Sequence, residues 1–210
     1  MTSSVFASLI GIPVVPVVVI EDVDHAVPAA QALARGGLPV IELTLRTPVA
    51  LEAIQAIATE VPEVLIGAGT VTTPAQAVDA VKAGAQFLVS PGATPRLLDA
   101  MLETDAAVLP GVATVGEALE VWECGLTELK FFPAQAAGGA PFLRALNGPL
   151  PQLRFCPTGG VTPDNAADYL GLANVACVGG SWLTPAATLA AGDWDAVERL
   201  ARQAAQLSPA

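Results

Sequence analysis

The stretch Val40-Ile41-Glu42-Leu43-Thr44-Leu45-Arg46-Thr47-Pro48 reads as a buried strand that hands over at once to a helix. Aliphatic and β-branched residues dominate Val40–Leu45, as a strand covered on both faces requires. Thr47-Pro48 then supplies a cap oxygen ahead of a proline, whose missing N–H costs nothing at the first helical position. A helix over Pro48–Glu60 follows. Period 2 sets Glu42, Thr44 and Arg46 on one face of the strand, spread over about 13 Å at roughly 3.3 Å per residue.

The same unit recurs in both directions along the chain. After an opening helix near Ser3–Ile10, strands are expected at Val14–Ile20, Val40–Leu45, Leu65–Ala68 and Phe87–Ser90. Further strands are expected at Ala107–Pro110, Glu128–Phe132, Arg154–Pro157 and Ala176–Val178. The intervening helices fall around Asp24–Arg35, Pro48–Glu60, Pro74–Ala83, Pro95–Glu103 and Val115–Cys124, then Pro141–Leu146, Pro163–Leu170 and Trp194–Leu207. Thr73-Pro74, Thr94-Pro95 and Thr162-Pro163 repeat the Thr47-Pro48 start. Eight strand–helix units of roughly 25 residues, each a right-handed parallel crossover, imply a small (β/α)8 barrel with a short N-terminal helix. A doubly wound open sheet is the competing architecture. It would carry a glycine-rich fingerprint after its first strand, where this chain has Glu21-Asp22-Val23-Asp24. No linker or low-complexity segment divides the chain, so residues 1–210 are read as one domain.

Composition narrows the function. Hydrophobic residues make up 53% of the 210 and the mean hydropathy is +0.57, which points to strands buried on both sides, to an oligomer interface, or to both. Nine basic against twenty acidic residues give a net charge of −11, a surface that repels nucleic acid. An anionic substrate would need a local site. Two uncharged runs resemble membrane spans, but Gly11, Pro13 and Pro16 interrupt the first. Asn174, Gly179-Gly180 and Pro185 interrupt the second. With no basic residue before His25, the charged start of a secretory signal is missing, and the protein is expected to be soluble and cytoplasmic. Cys124, Cys156 and Cys177 are too far apart for a zinc set with the single His25, and are read as buried small hydrophobes in a reducing compartment. No metal and no organic cofactor are expected.

In a barrel the chemistry sits at the C-terminal ends of the strands. Lys130, between Leu129 and Phe131-Phe132, is a lysine in an apolar strand. Desolvation favours its neutral amine, the form that attacks a ketone to make a Schiff base. Alternatively it snorkels to the surface or pairs with an acid. Glu42, deep on its strand, is either paired with a cation such as Lys130 or used as an acid/base. Arg46, nearer the mouth, suits bidentate capture of a carboxylate, or else makes a surface salt bridge. Thr158-Gly159-Gly160 and Gly179-Gly180-Ser181 are read as the loops after the last two strands, where such barrels often bind phosphate through backbone N–H groups. His25 is set aside as an exposed residue at a helix start, and Trp122, Trp182 and Trp194 as packing residues.

These motifs, in order, resemble one family. His25-Ala26-Val27-Pro28, Glu42-Leu43-Thr44-Leu45-Arg46-Thr47, Gly67-Ala68-Gly69-Thr70-Val71, Ser90-Pro91-Gly92 and Lys130-Phe131-Phe132-Pro133-Ala134 come first. Arg154-Phe155-Cys156-Pro157-Thr158-Gly159-Gly160 and Gly179-Gly180-Ser181-Trp182-Leu183 complete the set. Together they resemble the class I 2-keto-3-deoxy-6-phosphogluconate aldolase / 4-hydroxy-2-oxoglutarate aldolase family. The resemblance implies a homotrimeric (β/α)8 lyase of Entner–Doudoroff metabolism. It makes Lys130 the Schiff-base lysine and Glu42 the general acid/base. Arg46 and Thr70 would hold the pyruvate carboxylate and its surroundings, with Pro91 and Phe132 shaping that pocket. Thr158, Gly159, Gly160, Gly180 and Ser181 would receive the distal phosphate. Position 135 departs from the family: many relatives carry Glu after Phe-Phe-Pro-Ala, and this chain has Gln135. Oxaloacetate decarboxylation through the same imine and a non-catalytic phosphate-binding barrel are the alternatives.

Overall fold

The computed structural model describes residues 4–9 and 11–207. Helix α1 (Val5–Ser8) precedes strand β1 (Val14–Val18), a 3-10 turn (Val23–His25) and α2 (Ala26–Arg35). Then β2 (Val40–Thr44), α3 (Ala50–Glu60), β3 (Leu65–Gly69), α4 (Pro74–Lys82), β4 (Phe87–Val89) and α5 (Pro95–Leu102) alternate. The middle of the chain holds β5 (Ala107–Leu109), β6 (Gly111–Val112), α6 (Val115–Glu123), β7 (Glu128–Phe131) and α7 (Gly139–Leu146). It closes with β8 (Arg154–Pro157), α8 (Ala166–Leu170), β9 (Val178–Gly180), α9 (Ala186–Ala190) and α10 (Trp194–Ala205).

All strand pairs are parallel, in one sheet ordered β5-β4-β3-β2-β1-β9 and a second ordered β6-β7-β8. Sequence neighbours are spatial neighbours, as crossover helices of this length dictate. Pro110 alone separates β5 from β6; it has no N–H for the ladder, and its carbonyl accepts from Lys130 N at 2.9 Å. Between β8 and β9, bridges join Phe155 to Val175 and Thr158 to Gly179.

Alternation along the strands sorts their side chains into two cores. Val14, Ile41, Leu43, Ile66, Leu88, Leu129, Phe131 and Phe155 pack outward with the helices. Val15, Val40, Phe87, Leu109, Cys156 and Cys177 gather on the other face, joined by Val5 of α1 and its C-cap residue Leu9. Glu128, on that inner face at the start of β7, accepts from the Ser4 hydroxyl and from Phe6 N. It thereby pins α1 beneath the strands. Among the described residues no helix is long and apolar enough to cross a membrane.

Several boundaries differ from expectation for identifiable reasons. Thr73 and Thr94 cap α4 and α5 ahead of their prolines, as anticipated. Thr47 does not cap α3, because its hydroxyl donates to Ile20 O at 2.6 Å and the helix starts at Ala50. Thr162-Pro163 likewise precedes a turn, and α8 begins at Ala166. The last strand lies two residues later than Ala176–Val178, because Gly179 and Gly180 pair with Val15 and Pro16 of β1. Helix α9 was not anticipated. Cys124 is exposed, being the C-cap residue of α6, so only Cys156 and Cys177 fit the buried reading. Ser3 and Ile10 of the opening helix lie outside the described residues.

Candidate active site

Lys130 does not snorkel. It is 4% exposed, and its Nζ donates to Oε1 of Glu42, itself 2% exposed, at 2.8 Å. In register, Lys130 stands opposite Gly111 and Cys156, while Glu42 stands opposite Val17 and Gly67. Both alternatives for Glu42 thus meet in one arrangement, since a buried carboxylate paired with an ammonium is also positioned to exchange a proton with it. Gly69 makes room for this: a Cβ there would lie 2.3 Å from Glu42 Oε1. The Phe132 ring covers the ammonium, with its centroid 5.5 Å from Nζ.

Arg46 extends past the end of β2 and is exposed. Its Nε donates to Thr70 Oγ1 at 3.1 Å, and among the described residues it joins no ion pair. The outer guanidinium N–H groups therefore remain available for a carboxylate. Thr70 is the single described non-glycine residue with positive φ, at 58°. A β-branched side chain pays on the order of 1–3 kcal/mol to sit there. The backbone on either side holds it in place, through Leu45 N to Gly69 O at 2.8 Å and Val71 N to Val89 O at 3.1 Å. Pro91 packs on Gly111, where a Cβ would come within 2.4 Å of the Pro91 carbonyl carbon.

The turn after β8 has a different character. Gly159 and Gly160 adopt φ of 96° and 77°, values that suit glycine. Among the described residues, the N–H groups of Gly160 and Val161 have no protein acceptor, while Gly159 follows the bridge that joins Thr158 to Gly179. Successive free amides of this kind form a concavity for an anion. Phe132 links this turn to Lys130, for a Cβ on Gly159 would lie 3.2 Å from its ring. Thr158 packs on Gly179, whose lack of a side chain leaves room for the Thr158 hydroxyl.

Gly180 belongs to β9 and lies against the Trp182 ring, so it is a strand residue and not part of a loop. Ser181, next along, opens onto a cavity of about 460 Å³ that Val17, Ile20, His25 and Leu189 also line. No lysine or arginine lines it. His25 is half-buried, edge-on to Trp194 at 5.5 Å between ring centroids. The sequence reading missed it as a cavity residue because its cover comes from α9 and α10, remote in the chain. Gly69 was more legible, since it follows Gly67 by two residues on the face that meets Glu42.

The family model described as "KDPG and KHG aldolase" matches residues 5–200. The chain belongs to the KDPG and KHG aldolase family. The KHG/KDPG aldolase of Escherichia coli (strain K12) is 53% identical over 194 residues, covering 92% of this chain and 91% of that protein. Among solved structures, the Legionella pneumophila KDPG aldolase with pyruvate captured as a covalent carbinolamine intermediate superposes with a TM-score of 0.93 at 46% identity, covering 95% of this chain and 97% of that one. The Zymomonas mobilis ZM4 2-keto-3-deoxy-6-phosphogluconate aldolase with 3-phosphoglycerate gives 0.92 at 44% identity, covering 98% and 97%. In this member of the family, two inner-face cysteines remain thiols, Cys156 beside Lys130 on the neighbouring strand β8 and Cys177 just before β9. Contact with the Cys156 thiol, reinforced by burial, pushes Cys177 well above the usual thiol range.

Proposed function

We propose that the protein is a Schiff-base aldolase that cleaves 2-keto-3-deoxy-6-phosphogluconate to pyruvate and glyceraldehyde 3-phosphate. 4-Hydroxy-2-oxoglutarate, giving pyruvate and glyoxylate, is the shorter substrate of the same site. The observation that carries this reading is the buried Lys130–Glu42 pair at 2.8 Å in a chain of this family. Transfer of the ammonium proton to Glu42 frees the amine, which adds to the C2 ketone of the substrate. Glu42 returns a proton to the carbinolamine oxygen, water leaves, and a protonated imine remains.

Glu42, directly or through a water, next takes the proton of the C4 hydroxyl. The C3–C4 bond breaks, its electron pair moves into the imine to form an enamine, and the aldehyde departs. Protonation at C3 and hydrolysis release pyruvate and regenerate Lys130. Arg46, held by Thr70, receives the substrate carboxylate, while Pro91 and Phe132 wall the pyruvate pocket. The turn at Gly159 and Gly160, with Thr158, Gly180 and Ser181, forms the seat of the distal phosphate.

The stitches at Pro110 and at Thr158–Gly179 support a closed (β/α)8 barrel in which β5 and β6 act as one strand. Residues 1–210 form one domain, assembled as a homotrimer and working in the cytoplasm without a cofactor. Borohydride reduction in the presence of pyruvate tests the chemistry. The expected product is one reduced pyruvate adduct on Lys130. The only other lysine, Lys82, is largely exposed and serves as the internal control; an adduct there, or none at all, overturns the proposal.

A further inference from the structure

Every carbonyl of the turn Thr158-Gly159-Gly160 is held from the side away from its free amides. Thr158 O accepts from Ala134 N at 2.8 Å, and Gly159 O from Gln135 N at 3.0 Å. Gly160 O accepts from Asn165 Nδ2 at 3.0 Å. In a trans peptide the C=O of one residue and the N–H of the next point in opposite directions. Anchoring these three carbonyls therefore aims the N–H groups of Gly159, Gly160 and Val161 the other way.

Two of these residues do more than hold a carbonyl. Asn165 also accepts from Thr162 N through Oδ1 at 2.8 Å, so its amide spans the turn from Gly160 to Thr162. The Gln135 side chain packs on Gly160, where an added Cβ would meet Gln135 Cβ at 2.6 Å. Its Oε1 accepts the hydroxyl of Tyr169 at 2.9 Å, and Tyr169 is buried in α8. Gln135 is thus fixed at both ends, by the turn it supports and by a helix behind it.

We infer that Gln135, braced by Tyr169, and Asn165 are positioning residues that orient the Gly160 and Val161 amides toward the distal phosphate. They touch the turn and not the reacting atoms. This rests on the reading of that turn as the phosphate seat. The same residues line a cavity of about 300 Å³ that Asp168 and Pro141, both exposed, also border. Trimming them leaves space that water can fill, so the fold tolerates the change.

The test compares KM and kcat for 2-keto-3-deoxy-6-phosphogluconate and 4-hydroxy-2-oxoglutarate in the full-length protein and in Asn165→Ala and Tyr169→Phe. Tyr169→Phe removes one oxygen and keeps the ring packing. For Asn165→Ala, KM for the phosphorylated substrate is expected to rise about five- to tenfold, the worth of a hydrogen bond, with kcat unchanged. Tyr169→Phe should shift the same constant in the same direction. Constants for the unphosphorylated substrate should stay within about twofold, since no bond to it is lost. Equal changes on both substrates, or no change on either, overturn the positioning role. A parent protein with no KM advantage for the phosphorylated substrate instead overturns the phosphate seat itself.

Discussion

Glu42 can lean against β3 because Gly69 presents nothing but hydrogen to it. Replacing Gly69 by Ala puts a methyl 2.3 Å from the carboxylate oxygen, and the carboxylate must move off Lys130. Displacements of about 1 Å at reacting groups can cost on the order of 100-fold. Gly69→Ala is therefore expected to lower kcat by about that factor while circular dichroism and thermal unfolding stay close to the parent. Parental turnover would mean that the proton shuttle is not Glu42. Glu42→Gln probes the same role with no steric change, keeping an acceptor for Lys130 but not a proton acceptor. A positioned acid/base contributes about 10²–10⁴-fold, so cleavage should slow by that range while pyruvate still traps on Lys130 under borohydride.

At the level of the element, α6 illustrates how local chemistry stabilises one unit of the repeat. Thr114 accepts from Glu117 N at 3.3 Å, and Glu117 accepts from Thr114 N at 2.9 Å, a reciprocal cap. The Glu117 carboxyl lies below the ordinary value of 4.5, chiefly because Ala113 N–H donates to it; burial opposes this, and the hydrogen bonds with Thr114 add to the lowering. A carboxyl depressed in the folded state stabilises fully above the unfolded value and loses that contribution as pH falls through the folded one. Glu117→Ala should cost about 0.5–1 kcal/mol at pH 7, the low end of cap losses because the group is exposed. Thermal unfolding of both proteins from pH 7 to pH 3 checks the sign: the gap should narrow with acid. A gap that widens would contradict the cap.

For the whole molecule, the surface carries one ordered apolar feature among the described residues. Val115, Leu119 and Trp122 of α6 are 41%, 38% and 41% exposed and spaced at i, i+4 and i+7, one stripe along the helix. The proposed homotrimer would cover such a stripe and remove its apolar surface from water. Sedimentation equilibrium should give the mass of three 21.2 kDa chains, and Leu119→Glu should shift it toward one. A Leu119→Glu protein that remains trimeric moves the interface elsewhere.

What the sequence determined by itself was whatever depends on near neighbours in the chain. Strand periodicity set Glu42 and Thr44 on one face, apolar neighbours singled out Lys130, and Thr-Pro pairs marked the starts of α4 and α5. Thr47 and Thr162 carry the same pair, yet tertiary contacts decided otherwise: Ile20 O captured one hydroxyl, and Asn165 took over the turn after the other. Gly179-Gly180 looked like a loop because glycine is common in turns. Pairing with β1 made it a strand, since the Thr158 hydroxyl and the Trp182 ring fill the space a side chain would need. The left-handed backbone of Thr70 had no local signal, because only the hydrogen bonds on either side and Arg46 hold a β-branched residue there. The 2.8 Å contact between residues 88 positions apart likewise came from strand register. Sequence spacing sets which face a side chain points to; only the packed sheet sets what it meets.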